Sequence, residues 1–151
     1  MIRRVLICVL TGIFLLSACA SGEGIEAHEA WVRTAVKGEN GAVYLILHNH
    51  TPTDDSLIDI SANVATTVEL HLTEVDTNSV MRMSPLGEIE IIAGSEVEFK
   101  SGSYHIMLVG LKQDLNVGDE IIITFDFQNY QDVTLTVLVM DSAEMVEHQH
   151  P

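Results

Sequence analysis

From residue 25 onward the chain is a succession of short runs rich in Val, Ile, Leu and Thr, each closed by turn residues. None carries the 3.6-residue period of a helix. The runs cover 25–33, 42–49, 66–74, 79–83, 88–93, 96–100, 104–109, 120–127 and 133–140. Between them lie Lys37-Gly38-Glu39-Asn40-Gly41, Thr51-Pro52-Thr53-Asp54-Asp55, Ser101-Gly102-Ser103 and Asn116-Val117-Gly118-Asp119. Many short strands at near-regular spacing predict an all-β fold, a Greek-key β-barrel or sandwich. A length of 151 residues suits one domain around one core, and a 47% hydrophobic fraction is ordinary for a globular chain. No repeat or internal linker interrupts 25–141, which reads as one β domain.

The first residues are of a different kind. Met1-Ile2-Arg3-Arg4 is basic, and 5–16 is an apolar run broken only by Cys8, Thr11 and Gly12. That run is too short to span a bilayer and right for the apolar region of a signal peptide. Leu16-Ser17-Ala18-Cys19 follows, and it resembles the lipobox of bacterial lipoproteins, where a Cys after small residues is lipidated and becomes the new N-terminus. Residues 1–18 then read as a removable signal, 19–24 as a lipidated tether and Cys19 as the anchored residue. A plain secretory signal with Cys19 incidental competes, but position, apolar run and small residues all agree on the lipobox. The expected place is outside the cytoplasm, on the periplasmic or cell-surface side of a membrane. Acyl chains hold the protein there at about 0.8 kcal/mol per buried CH₂.

Charge and cysteine use narrow the function. The chain has 7 Lys and Arg against 22 Asp and Glu, a net charge of −15. Removing Arg3 and Arg4 with the signal leaves five basic residues and a net charge of −17. Such a chain cannot release counterions from nucleic-acid phosphate, and it is not drawn to anionic lipid by charge. The acidity serves solubility, or attracts cations and a basic docking face; composition does not separate the two. With Cys8 removed and Cys19 capped, no free thiol remains. That excludes a disulfide scaffold and a blue-copper electron carrier, whose site needs His₂Cys. No nucleophile elbow, phosphate-cradling Gly loop or His-Glu-x-x-His zinc signature is present, so the chain does not read as an enzyme.

Period-two alternation places the chemistry-bearing side chains. In 66–74, Val68, Leu70 and Leu72 share one face, and Thr67, Glu69, His71 and Thr73 the other. In 104–109, Tyr104, Ile106 and Leu108 oppose His105, Met107 and Val109. His105 and Met107 therefore project together, off the main core, with Cα atoms about 7 Å apart. Five Met remain after the signal, at 81, 83, 107, 140 and 145, and three fall within a strand's length of His71 or His105. Thioethers beside imidazoles suit copper(I) better than zinc, calcium or magnesium. Thioethers do not titrate, so acid should weaken such a site only through its His.

These spacings resemble the signature of the PCuAC family of extracytoplasmic copper(I)-binding proteins: a His, an optional Met, ten residues, a Met, twenty-one residues, then His-x-Met. Here His71 is followed by Leu72, so the optional Met is absent. Thr73 to Arg82 are the ten residues, Met83 is the fixed Met, Ser84 to Tyr104 are the twenty-one, and His105-Ile106-Met107 closes the motif. Ala30-Trp31-Val32-Arg33, Asn40-Gly41-Ala42-Val43-Tyr44 and Gly102-Ser103-Tyr104 are similar to the family's surroundings. The resemblance implies a cupredoxin-like β-barrel with a solvent-facing site for one copper(I) per chain, held by His71, Met83, His105 and Met107. It implies a monomer that delivers copper to an acceptor protein, such as the dinuclear copper centre of a cytochrome oxidase subunit or another copper chaperone. Storage or sequestration for copper tolerance would use the same ligands and stays open.

Other candidates read more plainly. Met81 should sit beside Met83 in a neighbouring or packing role, and Arg82 should point the other way, to the surface. His48-Asn49-His50 has i, i+2 spacing but borders a turn with no obvious convergent Met or carboxylate, so it reads as a solvated strand end; His28, in a charged strand, reads likewise. Trp31 and Tyr44 read as core. Residues 142–151, with Met145, Glu147, His148 and His150, read as a polar tail; weak copper(II) capture by its two His is the alternative.

Overall fold

A computed structural model describes residues 23–77 and 79–141; the signal, Cys19 and the tail from 142 lie outside the described residues. Ten strands follow one another: β1 (Ile25–Arg33), β2 (Gly41–Asn49), β3 (Asp55–Ala62), β4 (Thr67–Val75), β5 (Met81–Leu86), β6 (Ile89–Ile91), β7 (Glu96–Phe99), β8 (Tyr104–Val109), β9 (Glu120–Phe127) and β10 (Val133–Met140). The described residues contain no helix, as the all-β reading requires.

Hydrogen bonding runs in the order β5-β4-β8-β2-β1-β10-β9-β3-β6, with β7 also on β2. β1 joins the two wings, antiparallel to β2 and parallel to β10. β8 pairs with the first part of β2 and β7 with the second, so both share one edge of that strand. Buried and half-buried residues alternate along β2, and its inward set (Val43, Leu45, Leu47) joins one cluster with Ile106, Leu108, Ile121, Ile123, Phe125, Val137 and Val139. The outward set, Ala42, Tyr44, Ile46 and His48, is left on the outer face of the wing.

Two elements differ from the sequence expectation. The sequence runs leave 56–62 unassigned, and the structure builds β3 there. Its inward residues Leu57 and Ile60 are three apart, because the register with β9 shifts between Leu57 and Asp59. Such a bulge hides the period of two. Asp55, expected in a turn, is buried at the head of β3, where its carboxylate accepts from the Ser56, Asn129 and Tyr130 backbone amides at 2.8–3.0 Å. β5 runs three residues past the expected end at 83 and includes Pro85. It lies at the end of the strand order, and an edge strand tolerates a residue with no N–H to donate.

Candidate metal centre

The edge β5-β4-β8 holds the four residues that the sequence singled out. In the β4–β8 register His71 lies opposite His105 and Glu69 opposite Met107. In the β4–β5 register Met83 lies opposite Thr73. Alternation puts all of these on the outer face, the one that also carries Tyr44 of β2, since Ala42 is paired with Met107. Met81, Met83, His105, Met107 and Tyr44 line an open cleft of about 390 Å³, closed on one side by Ser101 and Gly102 of the β7–β8 turn. His71 is not among the residues lining it. Its ring centre lies 5.6 Å from that of His105, with the planes inclined by 34°.

Hydrogen bonds assign a different tautomer to each imidazole. His105 Nδ1 lies 3.1 Å from the Ser103 carbonyl oxygen, which can only accept, so Nδ1 carries the proton and Nε2 keeps its lone pair. The same carbonyl accepts from the Thr73 amide at 3.1 Å, tying the turn to β4. Gly102 makes this turn possible with φ of +80°, where a side chain would be strained. His71 Nε2 lies 2.8 Å from Glu69 Oε2, so the carboxylate holds the proton on Nε2. The lone pair is then on Nδ1, which is buried and has no hydrogen-bond partner. A buried polar atom left unsatisfied costs roughly 1–3 kcal/mol, and a bound cation would satisfy it. The set offers two neutral nitrogens and two thioethers, with one carboxylate in the outer layer. That donor set fits a soft monovalent ion.

Exposure is graded. His105 is 9% exposed and Met83 53%. The expected solvent-facing site is thus only half so: the His105 imidazole is sunk and the thioether of Met83 forms the rim. Met107 is half-buried, and its sulfur accepts from Asn40 Nδ2 at 3.6 Å. Met81 packs into no core; it is 65% exposed and adds a third thioether to the cleft. Arg82 is exposed as expected, with Nε 2.9 Å from Asp76 Oδ2 across the β4–β5 turn, though it also borders the cleft. Trp31 and Tyr44 are not core. They stack on each other on the outer face, centroids 4.5 Å apart. Glu69 and Asn40 escaped the sequence reading; the Glu-x-His spacing on one strand face was the available signal for Glu69.

The histidines read as bland are not isolated. His28, His48 and Glu96 come together from β1, β2 and β7. His50 Nε2 lies 3.3 Å from Glu26 Oε2. The expectation that no carboxylate converges there is wrong. Glu96 is 48 positions from His48 in sequence but directly opposite it in the β2–β7 register.

Fold and cleft together define a cupredoxin-like β domain with a His/Met pocket at one sheet edge. Its backbone is similar to that of the copper-bound PCuAC domain of PmoF2, with a TM-score of 0.65 at 22% identity over 78% of this chain and 92% of that one. It is similar also to copper(I)-loaded DR1885 of Deinococcus radiodurans, with a TM-score of 0.58 at 22% identity over 82% and 84%. The chain belongs to the family described as "Putative lipoprotein LpqE-like", which matches residues 25–139. Among relatives, RP573 of Rickettsia prowazekii is 36% identical over 106 residues, 67% of this chain. The chain spans 58% of that protein's length. "Putative lipoprotein Lxx21020" of Leifsonia xyli is 27% identical over 119 residues, 79% of this chain and 71% of its own. The description of the family as lipoproteins agrees with the resemblance of Leu16-Ser17-Ala18-Cys19 to a lipobox.

Proposed function

We propose that this chain is a lipid-anchored, extracytoplasmic copper(I) carrier rather than an enzyme. His71, Met83, His105 and Met107 are the ligands for one ion per chain. The observation that carries this reading is the pairing of two imidazoles across β4 and β8, with their protons held on opposite nitrogens, beside two thioethers at one sheet edge. Neutral ligands leave the ion its charge, and Glu69 beside His71 offsets it. Exposed Met83 at the rim is the ligand that an acceptor's donors would displace first, so metal can leave stepwise without opening the fold. The copper named in the structures of PmoF2 and DR1885 supports copper as the cargo.

The acceptor is a protein with a copper site outside the cytoplasm, such as a cytochrome oxidase subunit or another chaperone. The test is to mix copper(I)-loaded protein anaerobically with a copper-free oxidase subunit and assay both after separation. Copper on the subunit supports delivery. Copper retained on this chain would assign it to storage instead.

A further inference from the structure

A second cluster of donors lies on the same sheet face, built from different strands. We propose that His28, His48 and Glu96 form a separate site for a divalent first-row cation, with copper(II) held more tightly than zinc(II). Each residue comes from its own strand, and one donor atom from each lies within 4.8 Å of the others. Glu96 Oε1 is the hub, 3.2 Å from His48 Nδ1 and 3.8 Å from His28 Nε2. Metal bonds of about 2.0–2.2 Å place neighbouring donors about 2.8–3.3 Å apart, from the tetragonal geometry of copper(II) to the tetrahedral one of zinc(II), so small rotamer changes close this set on one ion. All three side chains are partly exposed, which leaves coordination positions for water and a path for entry.

The local backbone points the same way. β1 carries a bulge between His28 and Trp31, and inside it Glu29 has φ of 53°, left-handed for a residue with a side chain. That conformation is strained and is kept only where something requires it. Its effect is readable from the register. Ile25, Val32 and the Ala27 between them face inward, whereas His28 and Trp31 face outward opposite Ile46 and Tyr44. In a regular strand His28 and Val32, four positions apart, would share a face. The bulge therefore lets β1 present His28 beside His48 while burying Val32. His50 lies against His48 with ring centroids 3.7 Å apart and planes tilted by 32°, and its partner Glu26 lies opposite His48 in the β1–β2 register. Among the described residues the ion pairs of Glu26 and Glu96 run only to histidines.

The donor chemistry differs from that of the cleft. Two imidazoles and a carboxylate contain no sulfur. Such N/O sets favour copper(II), the tightest binder in the divalent series, and serve copper(I) poorly. The two sites would thus sort the same metal by oxidation state on one face of the domain.

The test uses the whole mature chain, isotopically labelled, with copper(II) ions added below one equivalent while amide resonances are followed. The expected result is paramagnetic broadening centred on residues 26–28, 46–50 and 96–98. Glu96→Gln should weaken copper(II) binding there at least tenfold. His28→Ala with His48→Ala should remove one copper(II) per chain in a chelator competition, with the remaining amide spectrum unchanged. Copper(I) affinity should not move in either variant, which separates this site from the cleft. Broadening confined to the cleft around His105 or to the tail around His148, or variants that bind copper(II) as the parent does, would overturn the proposal.

Discussion

Replacing Glu69 tests the cleft through a residue that need not touch the metal. Glu69 Oε2 sits 2.8 Å from His71 Nε2 and holds the ring proton there, which leaves the Nδ1 lone pair for the proposed ion. Carboxylates in this outer position are typically worth 10–100-fold in metal affinity. The Glu69 side chain is 47% exposed, so water screens its charge and the lower end applies to loss of charge alone. Glu69→Gln keeps an acceptor oxygen and removes the charge, and should weaken copper(I) about tenfold, or about 1.4 kcal/mol. Glu69→Ala also removes the acceptor and frees the ring to protonate either nitrogen. It should approach a hundredfold, or about 2.8 kcal/mol. Anaerobic competition with a chromophoric copper(I) chelator reads the affinity, and ring ¹⁵N shifts of His71 read which nitrogen is protonated. Unchanged affinity in both variants, with the His71 tautomer unmoved, would rule out this role for Glu69.

Three further variants carry specific expectations. Met83→Leu should weaken copper(I) by more than the Glu69 variants, because it removes one of the four proposed ligands outright. At 53% exposure it should leave thermal unfolding almost unchanged, and equal affinity by the same competition would remove Met83 from the site. Cys19→Ser should move the protein from the membrane to the soluble fraction, as read by fractionation and mass analysis of the N-terminus; retention would count against lipidation. Asp126 lies opposite Asp59 in the β3–β9 register, and burial, then Asp132 and Asp59, raise its carboxyl pKa above the ordinary 3.8. The folded protein therefore holds this proton more tightly than the unfolded chain, and stability from it is lost as pH rises through the raised pKa. Asp126→Asn should stabilise by about 0.5 kcal/mol near neutral pH, about 1–2 °C in Tm, and the gain should vanish near pH 3. An equal gain at both pH values would contradict the electrostatic cause.

The parts legible in the sequence are those that local periodicity controls. Alternation in β4 and β8 places His71 with Glu69 and His105 with Met107 on the outer face, and the register then brings the two strands together. β3 was illegible because its bulge sets Leu57 and Ile60 three apart and its acidic head is held largely by backbone amides of the distant β9–β10 turn. Trp31 and Tyr44 were misjudged for a common reason. An aromatic side chain on a strand is assigned to the core by type, yet here the two stack on the outer face, and Tyr44 lines the cleft. The Glu96 cluster was hidden because β7 pairs with the second part of β2, and nothing near His48 in sequence announces that partner. The depth of His105 was also unreadable, since it depends on the β7–β8 turn folding over the ring.

The most direct measurement is copper K-edge X-ray absorption on the mature protein loaded anaerobically with one equivalent of copper(I). Two nitrogen and two sulfur scatterers around one ion are the result this account predicts, with one sulfur lost in Met83→Leu. A first shell made only of oxygen and nitrogen, or one that Met83→Leu leaves untouched, would contradict it.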